Sequence, residues 1–459
     1  MSARQISFLL LLGALVGCGA KPDAPPEAPA NPERERRGGD PAPQPQPKVT
    51  PPIAPKITDP EPAQAVPVTA ADKARVAAAE KKGATVHEAQ NGGYEIRIDA
   101  NTDPDPVFAA LKGTKCVVAL NAEGPKLTDA LLRHVADFEY LEQLALHQCP
   151  NVTGAGFDAL AGLTRLKAVT VSECPVTDAA GRHLGRVKSL ENVAFFRTKI
   201  TDTGLKELAA LPALDGLILV HTPVSGTAFA APGWSKLREI AAQNSKFSDA
   251  GLEAVAALPA LQLLNIESCP VTDAGVHHLR NATKLADLSL CGTPTTDTGL
   301  RDLKDLPALR ALDVSETAID GSGFAAFAER PALGRLYVGN TKIGDAGAAH
   351  LAKFPNLTHL YLSGCPVTDA GLAVLRGMKK LTKCDLSGTQ AGDGTATILG
   401  ALPDLEDANF ARTKLTDAGL KALAGAPKVR FIDATGTKAT REGAERAKMG
   451  RTRLEIRTG

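Results

Sequence analysis

The chain has 459 residues, with 52 Lys and Arg against 51 Asp and Glu and a net charge of +1. That balance supplies no basic stripe to neutralise phosphates, so no nucleic-acid partner is expected. Aromatic residues make up only 4% of a chain that is 44% hydrophobic, which suits thin, repeated packing better than one large globular core.

Arg4 gives the chain a positive start, and Ile6 to Val16 is an apolar run too short to cross a bilayer as a helix. Residues 1–17 therefore read as an export signal peptide. The run ends in Leu15-Val16-Gly17-Cys18, which resembles the lipobox of bacterial lipoproteins. The resemblance implies that Cys18 becomes the acylated first residue of the mature chain. A thiol is the group that can carry a diacylglyceryl unit, and each buried methylene of such an anchor contributes about 0.8 kcal/mol of membrane binding. The expected location is the periplasmic or cell-surface side of the bacterial envelope, with the membrane touched through the lipid alone. Residues 18–69 follow as a linker; from Lys21 on they hold 15 of the 32 prolines and almost no large apolar side chains. Such a segment cannot bury enough surface to offset its ordering entropy.

Residues 70–115 read as an N-terminal cap: a helix over Ala71–Lys82 ended by Gly83, a strand at Thr85–Glu88, a turn at Asn91-Gly92-Gly93 and a strand at Tyr94–Ile98. From 116 to 443 the sequence repeats every 24 residues, with the position of Gly275 recurring in fourteen copies. Val271-Thr272-Asp273-Ala274-Gly275-Val276 returns as Val367-Thr368-Asp369-Ala370-Gly371-Leu372 and as Leu415-Thr416-Asp417-Ala418-Gly419-Leu420. Within a copy, Leu357, Leu360 and Leu362 end in strand-like alternation, while Leu372, Leu375 and Met378 are spaced as on one face of a short helix. Thr368 and Asp369 are helix N-cap types, and Leu-Pro pairs such as Leu402-Pro403 stop each helix and set the chain extended for the next strand. Residues 444–459 complete a C-terminal cap, with a helix Arg441–Met449 and a strand Arg453–Arg457.

This pattern resembles the leucine-rich repeat, LxxLxLxxN/C/T, over about residues 116–443. The nearest variety is the cysteine-containing one of eukaryotic F-box adaptors, and similar tandem Thr-Asp-Ala-Gly-Leu repeats occur in bacterial, notably planctomycete, lipoproteins. The resemblance implies an α/β solenoid curved like a horseshoe, with a parallel sheet on the concave face and short helices on the convex face. The ladder position after each strand is Cys or a small hydroxyl residue, as at Cys149, Cys174, Thr222, Cys269, Thr293 and Cys365. Each carries a donor able to reach a backbone carbonyl. No F-box is present, so ubiquitin-ligase adaptor function is not carried over.

No GxxxxGK[ST], GxSxG or HExxH motif occurs, and the eight cysteines contain no CxxC pair. An enzyme, a cofactor and a metal are therefore not expected. His134, His183, His278 and His350 share one convex repeat position, which copying of the repeat explains. Asp129, Asp178, Asp202, Asp249, Asp273, Asp345, Asp369 and Asp417 share another, which capping explains without a calcium ion. Trp234 reads as core, Cys291 as lying on the exposed side of its strand, and Cys149 and Cys174 as neighbouring buried thiols within disulfide reach.

Function then falls to the concave face. Its central outward column runs Ala145, Thr170, Ala194, Ile218, Ala241, Asn265, Ser289, Asp313, Tyr337, Tyr361, Asp385, Asn409 and Asp433. Two clusters stand out as partner-binding candidates: Phe196, Ile218 and Val220, and Arg335, Tyr337, His359, Tyr361 and Lys383, where two tyrosines stand among cations. Aromatics and Arg are the types that anchor interfaces. The expected function is a monomeric, non-catalytic module that binds a protein. Cell-wall glycan binding and a purely structural envelope spacer are the alternatives.

Overall fold

The computed structural model describes residues 65–330 and 332–459. The expected signal peptide, Cys18 and the linker up to residue 64 lie outside the described residues. The N-terminal cap opens with helix α1 (Ala70–Glu80), where Thr69 accepts from the Asp72 amide and the Asp72 carboxylate accepts from the Thr69 amide, a reciprocal capping box. Strands β1 (Thr85–Glu88) and β2 (Tyr94–Ile98) form an antiparallel hairpin, as expected. A further helix, α2 (Pro104–Leu111), was not anticipated. Asp103 caps it, proline occupies its first turn, and Val107, Phe108 and Leu111 are buried beneath the first repeat. It is the convex helix of a degenerate copy that lies before the clear repeats.

From β2 onward each strand pairs in parallel with the next, from β3 (Val117–Glu123) through β16 (Phe431–Ala434), one per repeat, to β17 (Glu455–Thr458). All seventeen strands belong to one sheet. Among the described residues no helix is long and apolar enough to cross a membrane. Register is kept because every unit offers the same apolar set to its neighbour: Leu357, Leu360, Leu362, Val367, Leu372, Leu375 and Met378 are each at most 1% exposed. No single unit can hide these side chains by itself, so stability comes from stacking. Trp234 sits in this core as expected, its indole N–H donating to the Ala228 carbonyl at 3.2 Å.

Two polar ladders fix the turns. Ladder threonines from Thr222 onward donate to the carbonyl three residues back in their own unit, as Thr293 does to Leu290 at 2.6 Å and Thr341 to Val338 at 2.7 Å. Cys269 and Cys365 reach into the preceding unit instead, to the carbonyls of Ala242 and Val338 at 3.1 Å, whereas Cys149 and Cys174 lie nearest their own His147 and Ser172 carbonyls at 3.1 and 3.3 Å. The aspartate column does more than cap its own helix. Asp345 lies just inside a helix start, yet its carboxylate accepts from the amide and the hydroxyl of Thr368 in the following unit, each at 2.7 Å. The pairs Asp178–Thr201, Asp249–Thr272, Asp273–Thr296, Asp393–Thr416 and Asp417–Thr440 repeat this clasp. The Thr side chain, so held, turns back to cap its own helix, as Thr368 does toward the Ala370 amide at 3.2 Å.

The clasp dictates the glycine. A Cβ on Gly371 would meet Asp345 Oδ1 at 2.5 Å and its Cα at 2.6 Å, and Gly204, Gly275, Gly299 and Gly419 face their own aspartates in the same way. Gly371→Ala is therefore expected to lower stability by about 1–3 kcal/mol, as overpacking does. Gly377→Ala, with nothing within 4 Å of the added methyl, is expected to leave it unchanged or slightly raised. Denaturant midpoints of the two variants check this; equal midpoints would remove the clasp as the reason for the motif.

Candidate concave binding surface

The strands place alternate side chains on the inside of the bend. Phe196 on β6 (Asn192–Phe196) lies opposite Val220 on β7 (Gly216–Val220), and Ile218 stands two residues from Val220 on the same face. All three are partly exposed, so the first candidate cluster forms a contiguous apolar patch. In the second, Arg335, His359 and Lys383 share one row, and Tyr337 and Tyr361 share the next, followed by Asp385. The tyrosine rings stack 4.7 Å apart at 12°. Burial and the neighbouring Tyr361 push the Tyr337 hydroxyl up to about 12, so it stays protonated and available as a donor.

The cations around them are not free. Arg335 reaches past Ala311, two strands over, to Asp287 at 2.6 Å, and Lys383 pairs with Asp407 on the next strand at 3.0 Å. His359 has its pKa lowered by burial and by Lys383 and Arg335, so its imidazole is neutral. The tyrosines therefore stand in a nearly charge-compensated frame rather than in a field of cations.

Along its central column the face differs from expectation, most of all between the two patches. Ala194, Ala241, Asn265, Ser289 and Asp313, read from the sequence as exposed, are each at most 7% exposed, and Cys291 is buried as well. On the inside of a bend adjacent rows converge, so short side chains sink beneath their neighbours. The polar members are also engaged by their own backbone. Asn265, Asp313, Asp385, Asn409 and Asp433 each accept from the amide two residues ahead, at 2.8–3.1 Å. The result is a recessed trough between two raised patches, about 24 Å across at five strand spacings.

Its acids are desolvated. Burial, with Asp215 nearby, pushes Glu239 up to about 7, and burial pushes Asp313 up to about 6. Among the described residues, no three His, Cys, Asp or Glu side chains converge as a metal site. Cys149 and Cys174 are adjacent free thiols, with the Cys149 amide 3.3 Å from the Cys174 sulfur.

One feature of every unit escaped the sequence reading. The residue just before each ladder position turns through positive φ, as at Glu173, Arg197, His221, Asn244 and Asn340, with glycine at 292, 364, 388 and 436. This corner ends the concave strand and aims the chain at the ladder residue. The recurrence of Gly and Asn in that column was the available signal.

A family model described as Leucine Rich repeat matches residues 355–375. No curated protein matches the chain. Among solved structures, a leucine-rich-repeat protein of Leptospira interrogans is 14% identical with a TM-score of 0.51, covering 79% of this chain and 89% of its own. An internalin of Listeria monocytogenes is 17% identical with a TM-score of 0.48, covering 78% of this chain and 94% of its own. A plant peptide hormone receptor, RGFR1, in complex with RGF2, is 12% identical with a TM-score of 0.41, covering 79% and 72%. The repeat match, the parallel sheet and the Leptospira superposition define the class: the fold is a leucine-rich-repeat solenoid.

The raised acids give a pH signature. A carboxyl whose folded pKa lies above its unfolded value contributes its full stability below the unfolded value, near 4, and loses it as pH rises toward the folded one. Stability is thus expected to fall between about pH 4.5 and pH 7. Glu239→Gln and Asp313→Asn should each flatten that decline in melting temperature; an unchanged slope in both would contradict the desolvated trough.

Proposed function

We propose that this protein is a non-catalytic, envelope-anchored module that binds a protein partner on its concave face. The observation that carries the reading is the half-buried, stacked Tyr337–Tyr361 pair, raised beside a recessed trough and framed by ion pairs that already satisfy their neighbours. Such a surface is preformed, so a partner bears little ordering cost, and fixed aromatic edges with phenolic donors suit peptide and side-chain groups. The Phe196, Ile218 and Val220 patch supplies a second, apolar anchor. The internalin and receptor folds noted above are consistent with interaction work but assign no partner here. The cysteine and threonine ladder supports a cysteine-containing variety of the repeat, and the Leu15-Val16-Gly17-Cys18 motif supports lipid attachment at Cys18.

Glycan binding is the weaker reading. Each tyrosine spends one ring face on the other, which leaves edges and hydroxyls outward rather than two open platforms for sugar stacking.

Pull-down from envelope extracts with wild type, Tyr337→Ala/Tyr361→Ala and Phe196→Ala/Ile218→Asp tests the reading. Loss of the two rings is expected to weaken capture of the partner at least tenfold, in line with aromatic anchors. Equal recovery by all three proteins would exclude both patches, and sedimentation with purified wall instead of protein would favour the glycan. For the anchor, Cys18→Ser is expected to release the protein from membranes, read by fractionation; a mature mass without acyl chains in the wild type would contradict it.

A further inference from the structure

The aspartate clasp does not run unbroken along the solenoid. In the second, fifth and ninth of the fourteen copies the aspartate position holds Gly154, Gly226 and Gly321, with φ of 98°, 88° and 90°. Each opens a 3-10 turn, at Ala155–Gly162, Thr227–Ala230 and Ser322–Ala326, where the other copies begin an α-helix. Such a unit receives a clasp and gives none. Asp129 accepts from the Thr153 amide at 3.0 Å and its hydroxyl at 2.7 Å, Asp202 from the Ser225 amide at 2.7 Å, and Asp297 from the Asp320 amide at 2.7 Å. The glycine that follows has no side chain with which to hold the next unit.

Weaker bonds take the place of the clasp at these three joints. The Thr177 amide donates to the Thr153 carbonyl at 3.1 Å, and the amide and hydroxyl of Ser248 donate to the Ser225 carbonyl at 3.0 and 3.2 Å. At the third joint Gly344 stands where a threonine would and offers no hydroxyl, while the Asp320 carboxylate is spent on the Ser322 amide of its own turn at 2.8 Å. A hydrogen bond to a carboxylate is roughly twice as strong as one between neutral groups. In a stack where each unit touches only its neighbours, the weakest joints decide where the stack gives. The sheet runs through all three: β4 (Gln143–His147) pairs with β5 (Ala168–Ser172), β7 with β8 (Glu239–Ala241), and β11 (Ala311–Asp313) with β12 (Arg335–Tyr337). Arg238 with Asp215 and Arg335 with Asp287 cross the second and third joints on the strand side, and such solvent-facing ion pairs add little. Each joint is thus held along the sheet and unclasped at the helix entries, which is the geometry of a hinge.

We propose that the solenoid is four clasped blocks joined by three hinges, and that the second and third hinges set the spacing of the two concave patches. The blocks hold two, three, four and five copies in chain order. Their limits coincide with the relief of the concave face. Phe196, Ile218 and Val220 all lie in the second block, and Tyr337 and Tyr361 in the fourth. The sunken Ala241, Asn265, Ser289 and Asp313 are the central column of the third block, so the hinges stand at the two rims of the trough. Pivoting there moves the apolar patch relative to the tyrosine pair while the clasps inside each block stay made. The use of that motion in fitting a partner rests on the concave-face reading above; the hinges themselves do not.

Distances between pairs of nitroxide labels, read by pulsed electron spin resonance on the full chain without a partner, test the hinges. Arg301→Cys/Ala349→Cys spans the third joint, and Ala349→Cys/Thr397→Cys spans clasped joints only, each pair being two copies apart. All four positions are on the convex side, and Cys18→Ser in both proteins leaves only the introduced thiols to react, because the seven described cysteines are buried. The distance distribution across the joint is expected to be about twofold broader than the one inside the block. Asp369→Ala, which removes a clasp inside the second pair, should broaden that pair to match the first. Equal widths in the two pairs would overturn the proposal, with no clasp variant needed. So would an Asp369→Ala protein of unchanged circular dichroism whose second pair stays narrow. With no partner present, neither result bears on the concave-face reading, and loss of that reading in the pull-down would leave the hinges standing.

Discussion

The constraint on which the structure depends is that each unit completes its neighbour. A leucine-rich unit of 24 residues cannot cover its own apolar side, and its helix start leaves amides without a backbone acceptor. Both needs are met one step along the stack. Leucines of adjacent units interdigitate, and the aspartate at one helix start accepts the amide and hydroxyl of the threonine at the next. The threonine so held caps its own helix, whose aspartate reaches onward. The Thr-Asp-x-Gly motif is therefore one link of a chain of contacts, and its glycine is required because the preceding aspartate occupies the space of a Cβ. Asp345 and Asp417 show the electrostatic side of this arrangement. The amide and then the hydroxyl of the next threonine hold both carboxyls below the usual range, so their contribution is present above about pH 4 and is lost as pH falls further.

Curvature follows from the same stacking, and the binding surface follows from curvature. Strands lie closer together than helices do, so the sheet takes the inside of the bend and its rows of side chains converge. Short residues sink, as Ala241, Ser289 and Asp313 do, while Phe196, Ile218, Tyr337 and Tyr361 remain within reach of a partner. Relief on this face is thus made by side-chain length on a uniform backbone. That is how one repeated unit presents two different patches without any change of fold.

The period, the strand of each unit and the core leucines were legible because they recur, and helix α1 because Thr69 with Asp72 is a local signal. Phe196, Ile218, Val220 and the tyrosine pair were legible as neighbours because register along a repeat is a matter of counting. What escaped the sequence is what depends on distance between units. Helix α2 belongs to a copy too degenerate to match the period. The aspartates read as local caps because their partners lie 23 residues away in sequence and next door in space. Arg335 and Lys383 read as free cations because Asp287 and Asp407 lie on other strands. Cys291 and the middle of the concave column read as exposed because alternation gives the direction of a side chain and not the height of its neighbours.

Residue-resolved hydrogen exchange of the amides of Thr272, Thr296, Thr368 and Thr416 tests the central claim most directly. These amides lie at helix entries, where a local cap leaves them open to water, and in this structure each is held by the aspartate of the preceding unit. Protection as strong as that of the strand amides is the predicted result. Exchange as fast as in the surface turns would show that the units stack without the clasp, and the account would fail at its first step.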